Sequence, residues 1–362
     1  NITRRLKLAS PGTRIILGGP TVSDESFSRE VMKRSPWVEI IVRGEGEIPL
    51  EQILDGKDLA GIPSITWRDG GRIAVNKGNT LLDLLSETPS FYSPSFLRGM
   101  PVVYYSTSRG CVGRCRYCRE WSRKRNLPLD RIDRDLSVIF KSRDMKLFGF
   151  IDSVLDDDPG RLREILKITA KHNKRKIPIS AYFYFANADP ELFEMLERAG
   201  FRYLRVGIES ANPETLRRVG RGARNLSHID KALPYRDRFE IVPYIISHLP
   251  GESPDSFREN IKACFRKGLL DLDFHCNRLN IYPGAPLYAS GAKDGYTFDP
   301  LPPHHVFTSA GWSYERFISD REFMRNVMAI GKFFKPEDER VLSHNGVDMF
   351  RIAEEIGTVS PG

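Results

Sequence analysis

Cysteine is scarce in this chain, five residues in 362, an odd number and too few for a disulfide-stapled secreted fold. Long apolar runs are missing: none approaches the roughly 20 residues that a membrane-spanning helix needs. The opening residues do not follow the pattern of a secretory signal either. No membrane association and a cytoplasmic location are therefore expected. Low-complexity tracts are also absent, and 40% hydrophobic with 28% charged residues is the balance of an ordinary globular protein. Acidic residues fall short of basic ones, 47 against 55, leaving a formal charge of +8. That surplus is scattered except around 109–125 and 171–176, and no aromatic-basic motif accompanies it. Nucleic acid is thus not expected as a partner, and a solvated face with a local anionic ligand accounts for the charge.

What is there is a regular alternation of strand and helix patterns, in a chain long enough for two or three domains. "RIILGG" (14–19) reads as a buried strand ending in glycines, "SFSREVMKRSP" as a helix, and "VEIIVRGEGEIPLEQIL" as strand, turn and helix. This β-α-β-α run is the tail of a parallel, Rossmann-like α/β domain over residues 1–60, whose front half is expected to lie outside the sequence. "GIPSITWRDGGRIAVNKGN" is a β-hairpin turning at Asp69, Gly70 and Gly71, followed by the Pro- and Ser-containing stretch "SETPSFYSPSFLRGMP". Residues 61–100 are expected to form a hairpin and linker between domains.

From 101 to 295 strands are expected at 102–108, 147–154, 178–185, 203–210, 240–247 and 272–282, with helices beginning near Leu129, Pro159, Asp189, Pro213 and Ser253. Asp158, Asn212 and Ser253, each followed by proline, are helix-start signals. Six strand-helix units in series require a parallel sheet, and a partial (β/α)6 barrel is favoured over an open doubly wound sheet. In either, ligands are expected at the C-terminal ends of the strands. Residues 296–362 hold "SDREFMRNVMAIGKFF" and "GVDMFRIAEEIG", two expected helices of a C-terminal extension, along with Trp312, Tyr314 and Phe317 as substrate-side or core aromatics.

Three of the five cysteines, Cys111, Cys115 and Cys118, fall within "RGCVGRCRYC", just after the first strand of this series. The C-x3-C-x2-C spacing lets one short loop wrap three thiolates around an inorganic centre, with Gly110 and Gly113 permitting tight turns. A closed structural zinc site takes four ligands, and no fourth lies nearby in sequence. An iron-sulfur cluster held by three thiolates keeps one iron open. Arg109, Arg114, Arg116 and Arg119 would favour thiolate and offset cluster charge. A zinc knob completed by a distant His, or free cysteines in a basic loop, is the plainer alternative. Cys264, in a helix, and Cys276, in the last strand, read as small core residues, although either Cys276 or the alternating His275 should face the sheet's ligand side.

The motif "RGCVGRCRYC" resembles the signature of the radical S-adenosylmethionine (SAM) enzymes. The resemblance extends through "FGFIDS", "LRVGIESANPETLRRVGRG", "IISHLPGESPDSF" and "LNIYPGAPLY", in the order of that family's partial barrel over about residues 100–290. It implies a 4Fe-4S cluster on Cys111, Cys115 and Cys118, whose open iron is chelated by the amino and carboxylate groups of SAM. Reductive cleavage then yields a 5'-deoxyadenosyl radical that abstracts hydrogen. It further implies Tyr117 and the "NIYPG" residues Asn280, Pro283 and Gly284 beside adenine, and Glu209 on the ribose hydroxyls. The family's "GGE" element is replaced by "FIDSVLDDD", so Asp152 and Ser153 become candidates for holding the methionine amino group. Each has a packing alternative: Glu209 as an acid ahead of Asn212, Tyr117 as a loop aromatic, Asn280 as a strand-end hydrogen bonder.

Residues 14–55 and "IPSITWRDGGRIAVN" resemble the latter part of the cobalamin-binding domain that precedes the barrel in a large subgroup of this family. Gly18 and Gly19 match the paired glycines beside the corrinoid's nucleotide tail, and Gly44 and Glu45, with Gly46, form a second turn. The upstream segment, which in this family can carry a cobalt-ligating histidine, is not in the sequence. The resemblance implies a cobalamin-dependent enzyme, most often a methyltransferase, with ring contraction, rearrangement or cyclisation as alternative outcomes. A small-molecule or peptide substrate and an external one-electron reductant such as flavodoxin or ferredoxin are the expected partners. A methylthiotransferase would be expected to carry a further three-cysteine domain and an RNA-binding module. An electron-transfer iron-sulfur protein would need a fourth thiolate, from Cys264 or Cys276.

Overall fold

The computed structural model describes residues 2–78, 81–82, 90–120, 123–221, 226–270, 272, 274–298, 307–308, 322–329, 336–344 and 348–356. The chain divides into two compact units. One holds residues 1–88 with 117–119 and 281–290, and the other holds 89–116, 120–280 and 291–362. Trp312, Tyr314 and Phe317 lie outside the described residues.

The first unit is built on a four-stranded sheet in the order β1 (Ile16–Leu17), β2 (Ile40–Val42), β3 (Ile65–Asp69), β4 (Arg72–Val75). β1 and β2 are parallel, as expected, but β2 pairs antiparallel with β3, with Ile40 opposite Trp67 and Val42 opposite Ile65. The hairpin expected to serve as a connector therefore completes this sheet, which is mixed rather than parallel. The cause is legible in the burial: Ile62 and Ile65 join Ile40, Val42 and Ile53 in one apolar cluster, while Ile41, Ile15, Met32 and Val38 form a second. Ile40 and Val42 feed one cluster and Ile41 the other, as strand alternation dictates. Among the described residues this unit includes α1 (Ile2–Ala9), α2 (Glu25–Arg34), capped by the Asp24 side chain on Phe27 N, α3 (Glu47–Leu54) and a short helix at Pro286–Ser290.

The second unit contains a six-stranded, wholly parallel sheet. Its strands are β5 (Val102–Tyr105), β8 (Leu147–Phe150), β9 (Ile179–Phe183), β10 (Phe201–Glu209), β11 (Glu240–Ser247) and β12 (His275–Arg278), in that spatial order. Two short strands, β6 (Ser108–Arg109) and β7 (Arg125–Asn126), pair antiparallel outside it. Among the described residues β5 and β12 remain edges, so the sheet stays open. The connecting helices are α4 (Leu129–Ile139), α5 (Pro159–His172), α6 (Pro190–Ala199), α7 (Pro213–Arg218) and α8 (Pro254–Arg266). Asp158, Asp189, Asn212 and Ser253 cap four of them, their side chains accepting from the first-turn amides. Ser253 completes a capping box with Ser256.

One face of the sheet, with Val103, Phe148, Ile179, Ala181, Phe183, Leu204, Val206, Ile241 and Ile245, is buried. Contacts such as Phe140 with Phe148, ring centroids 5.0 Å apart, and Tyr105 Oη donating to Asp135 in α4 show that this face meets the helices. The last strand is shorter than the expected 272–282, although Leu279 N still donates to Ser247 O at 3.0 Å. In the C-terminal region residues 322–329, Pro336–His344 and Met349–Ile356 are helical. Among the described residues no helix is long and apolar enough to cross a membrane.

Candidate functional site

The cysteine loop leaves the C-terminal end of β5, and the chain clasps it at its root. Ser108 pairs with Asn126 and Arg109 with Arg125, while Leu127 N donates to Thr107 O at 2.9 Å. Asp152, 2% exposed, accepts from Thr107 N (3.0 Å), Thr107 Oγ1 (2.8 Å) and Ser108 Oγ (2.5 Å). Arg161 Nη2 adds bonds to the carbonyls of Leu127 (2.7 Å) and Thr107 (3.2 Å). Both Asp152 oxygens are thus engaged at the root of the loop, which makes the carboxylate a brace rather than a group presented to a ligand. Neighbouring Ser153 is exposed.

Inside the loop, Gly110 takes φ +82°, a conformation side chains resist, and its N–H donates to Glu120 Oε1 at 3.1 Å. A Cβ on Gly113 would sit 3.3 Å from Cys111 Sγ and 3.9 Å from Cys115 Sγ. The two sulfurs therefore flank one bare stretch of backbone. Cys118 carries the third thiol, and all three are partly exposed. Among the described residues no three His, Cys, Asp or Glu side chains gather as ligands of a single metal ion.

The loop rests on residues 218–221. Arg116 N donates to Val219 O at 2.9 Å and Arg116 Nη1 to Arg218 O at 2.9 Å. Gly220, φ +77°, leaves room for Arg114 O, which a Cβ would meet at 2.7 Å. Sequence reading gave the basic role to Arg109, Arg114, Arg116 and Arg119, yet Arg116 is ion-paired to Asp294 at 2.7 Å. Arg221 brings a guanidinium to the loop, with Nη1 4.0 Å from Cys115 Sγ. Arg221 Nη1 also donates to Glu209 Oε1 at 2.8 Å and Nη2 to Gly207 O at 2.9 Å. Glu209, buried at the end of β10, is thereby joined to Cys115 through one side chain, 12 residues away in one direction and 106 in the other. Arg221 lies in the family-like stretch 204–222, but nothing in that stretch announces its link to Cys115.

The strand ends themselves are strained. Phe185, Glu209 and His248, just past or at the ends of three neighbouring strands, have φ of 57°, 65° and 69°. Polar groups hold each one. Asp156 accepts from Tyr184 N and Phe185 N (2.7 and 2.6 Å). Glu252 accepts from His248 N at 2.8 Å, and Tyr296 Oη donates to His248 O at 2.6 Å. Burial, then the Arg278 charge, push the His248 imidazole down to about 3, so it is neutral at physiological pH. Burial raises Asp156 to about 7. Asn280 is exposed just past β12. Cys264 is fully buried, its thiol pushed up to about 12 by burial and then by Cys276, so Cys276 points toward α8 and His275 toward the opposite face.

In the first unit β1 and β2 deliver Gly18, Gly19 and Gly44 to adjacent strand ends. Ser23 ties these turns together: its Oγ donates to Gly19 O at 2.9 Å and accepts from Gly44 N at 3.2 Å. Gly18 and Gly19 are exposed, and a Cβ on Gly19 would meet nothing within 4 Å. Glu45 does not share this openness, since its Oε2 accepts from Leu82 N at 2.6 Å. The same unit contains Tyr117, Cys118 and Arg119, together with buried Pro283. Arg119 Nη1 donates to Pro20 O, and Gly284 lies so near that a Cβ there would be 3.1 Å from Arg119 Nη2.

Residues 105–264 match the profile of the Radical SAM superfamily. An uncharacterized methyltransferase of Pyrococcus horikoshii is 25% identical over 297 residues, covering 76% of this chain and 62% of its own. The 2-(S-pantetheinyl)-carbapenam-3-carboxylate methyltransferase of Streptantibioticus cattleyicolor is 24% identical over 328 residues, 83% of this chain and 47% of its own. The chain thus spans roughly half to three-fifths of these curated relatives. Among solved structures, the radical SAM methyltransferase TsrM of Kitasatospora setae, with cobalamin and a [4Fe-4S] cluster bound, superposes with a TM-score of 0.71 at 16% identity. That match covers 98% of this chain and 83% of TsrM, and it establishes a shared fold. By its matched profile and its cysteine loop at the end of the first strand of a six-stranded parallel sheet, the segment 105–264 is a radical SAM domain.

Proposed function

We propose that this radical SAM enzyme is cobalamin-dependent and transfers a methyl group to an unactivated carbon. The observation that carries the corrinoid half of this reading is the composition of the first unit. The exposed Gly18–Gly19 turn and the Tyr117–Arg119 end of the cysteine loop belong to one compact body, joined by the Arg119–Pro20 hydrogen bond. The methyltransferases among its relatives support the reaction type. When bound, the cluster with SAM supplies a 5'-deoxyadenosyl radical and the corrinoid supplies the methyl group.

The residues present fit both groups. Three thiols on one loop, two of them flanking a glycine without side chain, suit a cluster that needs three protein ligands. Cys111, Cys115 and Cys118 would hold it, and Arg221 would offset part of its negative charge. Tyr117, Ser153, Asn280 and Pro283 are the residues proposed to line SAM. Glu209, already paired with Arg221, would accept from ribose hydroxyls with its remaining lone pairs. Gly18, Gly19 and Gly44 would admit the corrinoid tail at the strand ends, where only bare backbone allows so bulky a ligand to approach. An external one-electron reductant is required in this reading.

Two variants test it. In Gly18→Leu the Cβ would lie 3.7 Å from Val42 O, an ordinary contact, at an exposed position. This variant should retain iron but lose corrinoid after anaerobic reconstitution with hydroxocobalamin. Cys115→Ala should do the reverse. Equal corrinoid retention by wild type and Gly18→Leu would overturn the assignment.

A further inference from the structure

The face of the six-stranded sheet turned away from the helices carries a row of residues that neither the cysteine loop nor the strand-end network uses. Strand registers place Tyr104 (β5) opposite Gly149 (β8), Tyr182 (β9) opposite Arg205 (β10), and Tyr244 (β11) opposite His275 (β12). All six strands contribute one side chain or one glycine. Their neighbours in sequence point into the core, so strand alternation puts this set on the other side. Tyr104 is 54% and Tyr182 36% exposed, values typical of a surface rather than of the middle of a parallel sheet.

The row is ordered by ring contacts. The Cδ1–Cε1 edge of the Tyr104 ring meets Gly149, where a Cβ would be 2.6 Å from Cδ1. Arg205 Cζ stands 5.5 Å from the Tyr182 ring centroid, with Nη1 3.5 Å from the Tyr182 hydroxyl. The Tyr182 and Tyr244 rings are 5.9 Å apart, and Tyr244 stacks on His275 at 4.8 Å and 11°. Arg205 is the cation of the group, half-buried at the centre of the sheet. Among the described residues it forms no ion pair, and the hydroxyls of Tyr182, Tyr244 and Tyr104 act on it. A guanidinium held over an aromatic ring, among phenols and without a carboxylate, is arranged to receive an anion.

We propose that this face binds the substrate, and that the substrate is a small molecule joining a flat ring system to a carboxylate, the carboxylate on Arg205 and the ring along Tyr104, Tyr182, Tyr244 and His275. A carboxylate matches the planar fork of arginine with two parallel hydrogen bonds, and offset stacking suits ring partners 4.5–7 Å apart. The proposal specifies the substrate class for the radical reaction described above and rests on that reading only for what happens after binding.

The test is binding to the full chain without turnover. 2-Naphthoate, followed by its fluorescence, should bind wild type at least about 10-fold more tightly than 2-naphthamide, the neutral analogue. Arg205→Gln should erase that difference, Arg205→Lys should restore part of it, and Tyr182→Leu should weaken both ligands. Thermal melts of each variant identify any that fail to fold. Undetectable naphthoate binding, equal affinity for the amide, tighter binding of 2-naphthyl phosphate, or a Gln variant that still prefers the acid would each overturn the proposal. Formation of 5'-deoxyadenosine is measured separately, so binding without radical chemistry leaves this proposal standing and sinks the enzymatic reading, while radical chemistry without anion-selective binding does the opposite.

Discussion

Replacing Asp152 is the sharpest probe of how the cysteine loop is held. Its carboxylate is 2% exposed and accepts three hydrogen bonds from Thr107 and Ser108, themselves 2% and 5% exposed. Asp152→Ala strands three buried donors and removes the anion that faces Arg161. An unsatisfied buried donor costs about 1–3 kcal/mol, and losing one partner of a buried charged network costs about 3–5 kcal/mol in total. Asp152→Asn keeps one acceptor oxygen and should cost about half as much. For a unit of roughly 200 residues, 3–5 kcal/mol corresponds to a fall in Tm on the order of 10 °C. Calorimetry on the apo-protein reads the stability term, and iron and sulfide content after anaerobic reconstitution reads the loop. The Ala variant should melt well below wild type and load poorly, with Asn between them. A Tm within about 2 °C of wild type, together with full iron loading and weakened SAM binding, would refute the bracing role. It would return Asp152 to the methionine-binding role expected from sequence.

Three further outcomes follow from the same geometry. Gly220→Ala forces a side chain into φ +77° and a Cβ to within 2.7 Å of Arg114 O. It should cost at least about 1–2 kcal/mol from the backbone alone and lower cluster content, measured by iron analysis. Asp156, raised to about 7 by burial, holds a proton in the folded state that it loses in the unfolded state above the ordinary carboxylate range. Folded protein therefore binds more protons, and stability should decline as pH rises from about 4 to about 7. Denaturant titrations should show this slope in wild type and a flatter profile in Asp156→Asn. Cys264, buried with its thiol pushed up to about 12, should resist iodoacetamide in the native apo-protein at pH 8 while Cys111, Cys115 and Cys118 are alkylated, as read by peptide mass spectrometry.

Local signals carried far in this sequence, and long-range pairings did not. Asp158, Asn212 and Ser253 announced helix starts because a cap acts within three residues of itself. The strands of the parallel sheet were legible from apolar runs, and the cysteine loop from spacing and glycines. The hairpin at Ile65–Val75 was misplaced because its own pattern says only that it pairs internally. Its membership of the first sheet depends on Ile62 and Ile65 meeting Ile40 and Val42. The link from Arg221 to Cys115 was invisible for the same reason, since it spans 106 residues. Asp152 was legible as an important acid but not as a brace, because its partners Thr107 and Ser108 reach it only across paired strands. His275 and Cys276 were rightly read as facing opposite ways, and the buried Cys264 in α8 decided which faced the helices.

In the proposed enzyme three thiolates would leave one iron open for SAM. Electron paramagnetic resonance of the dithionite-reduced, reconstituted protein, recorded with and without SAM, tests this most directly. A 4Fe-4S signal whose g values change when SAM is added, and its loss in Cys115→Ala, are expected. A spectrum indifferent to SAM, or a cluster that survives without Cys115 but disappears with Cys276→Ala, would contradict this reading.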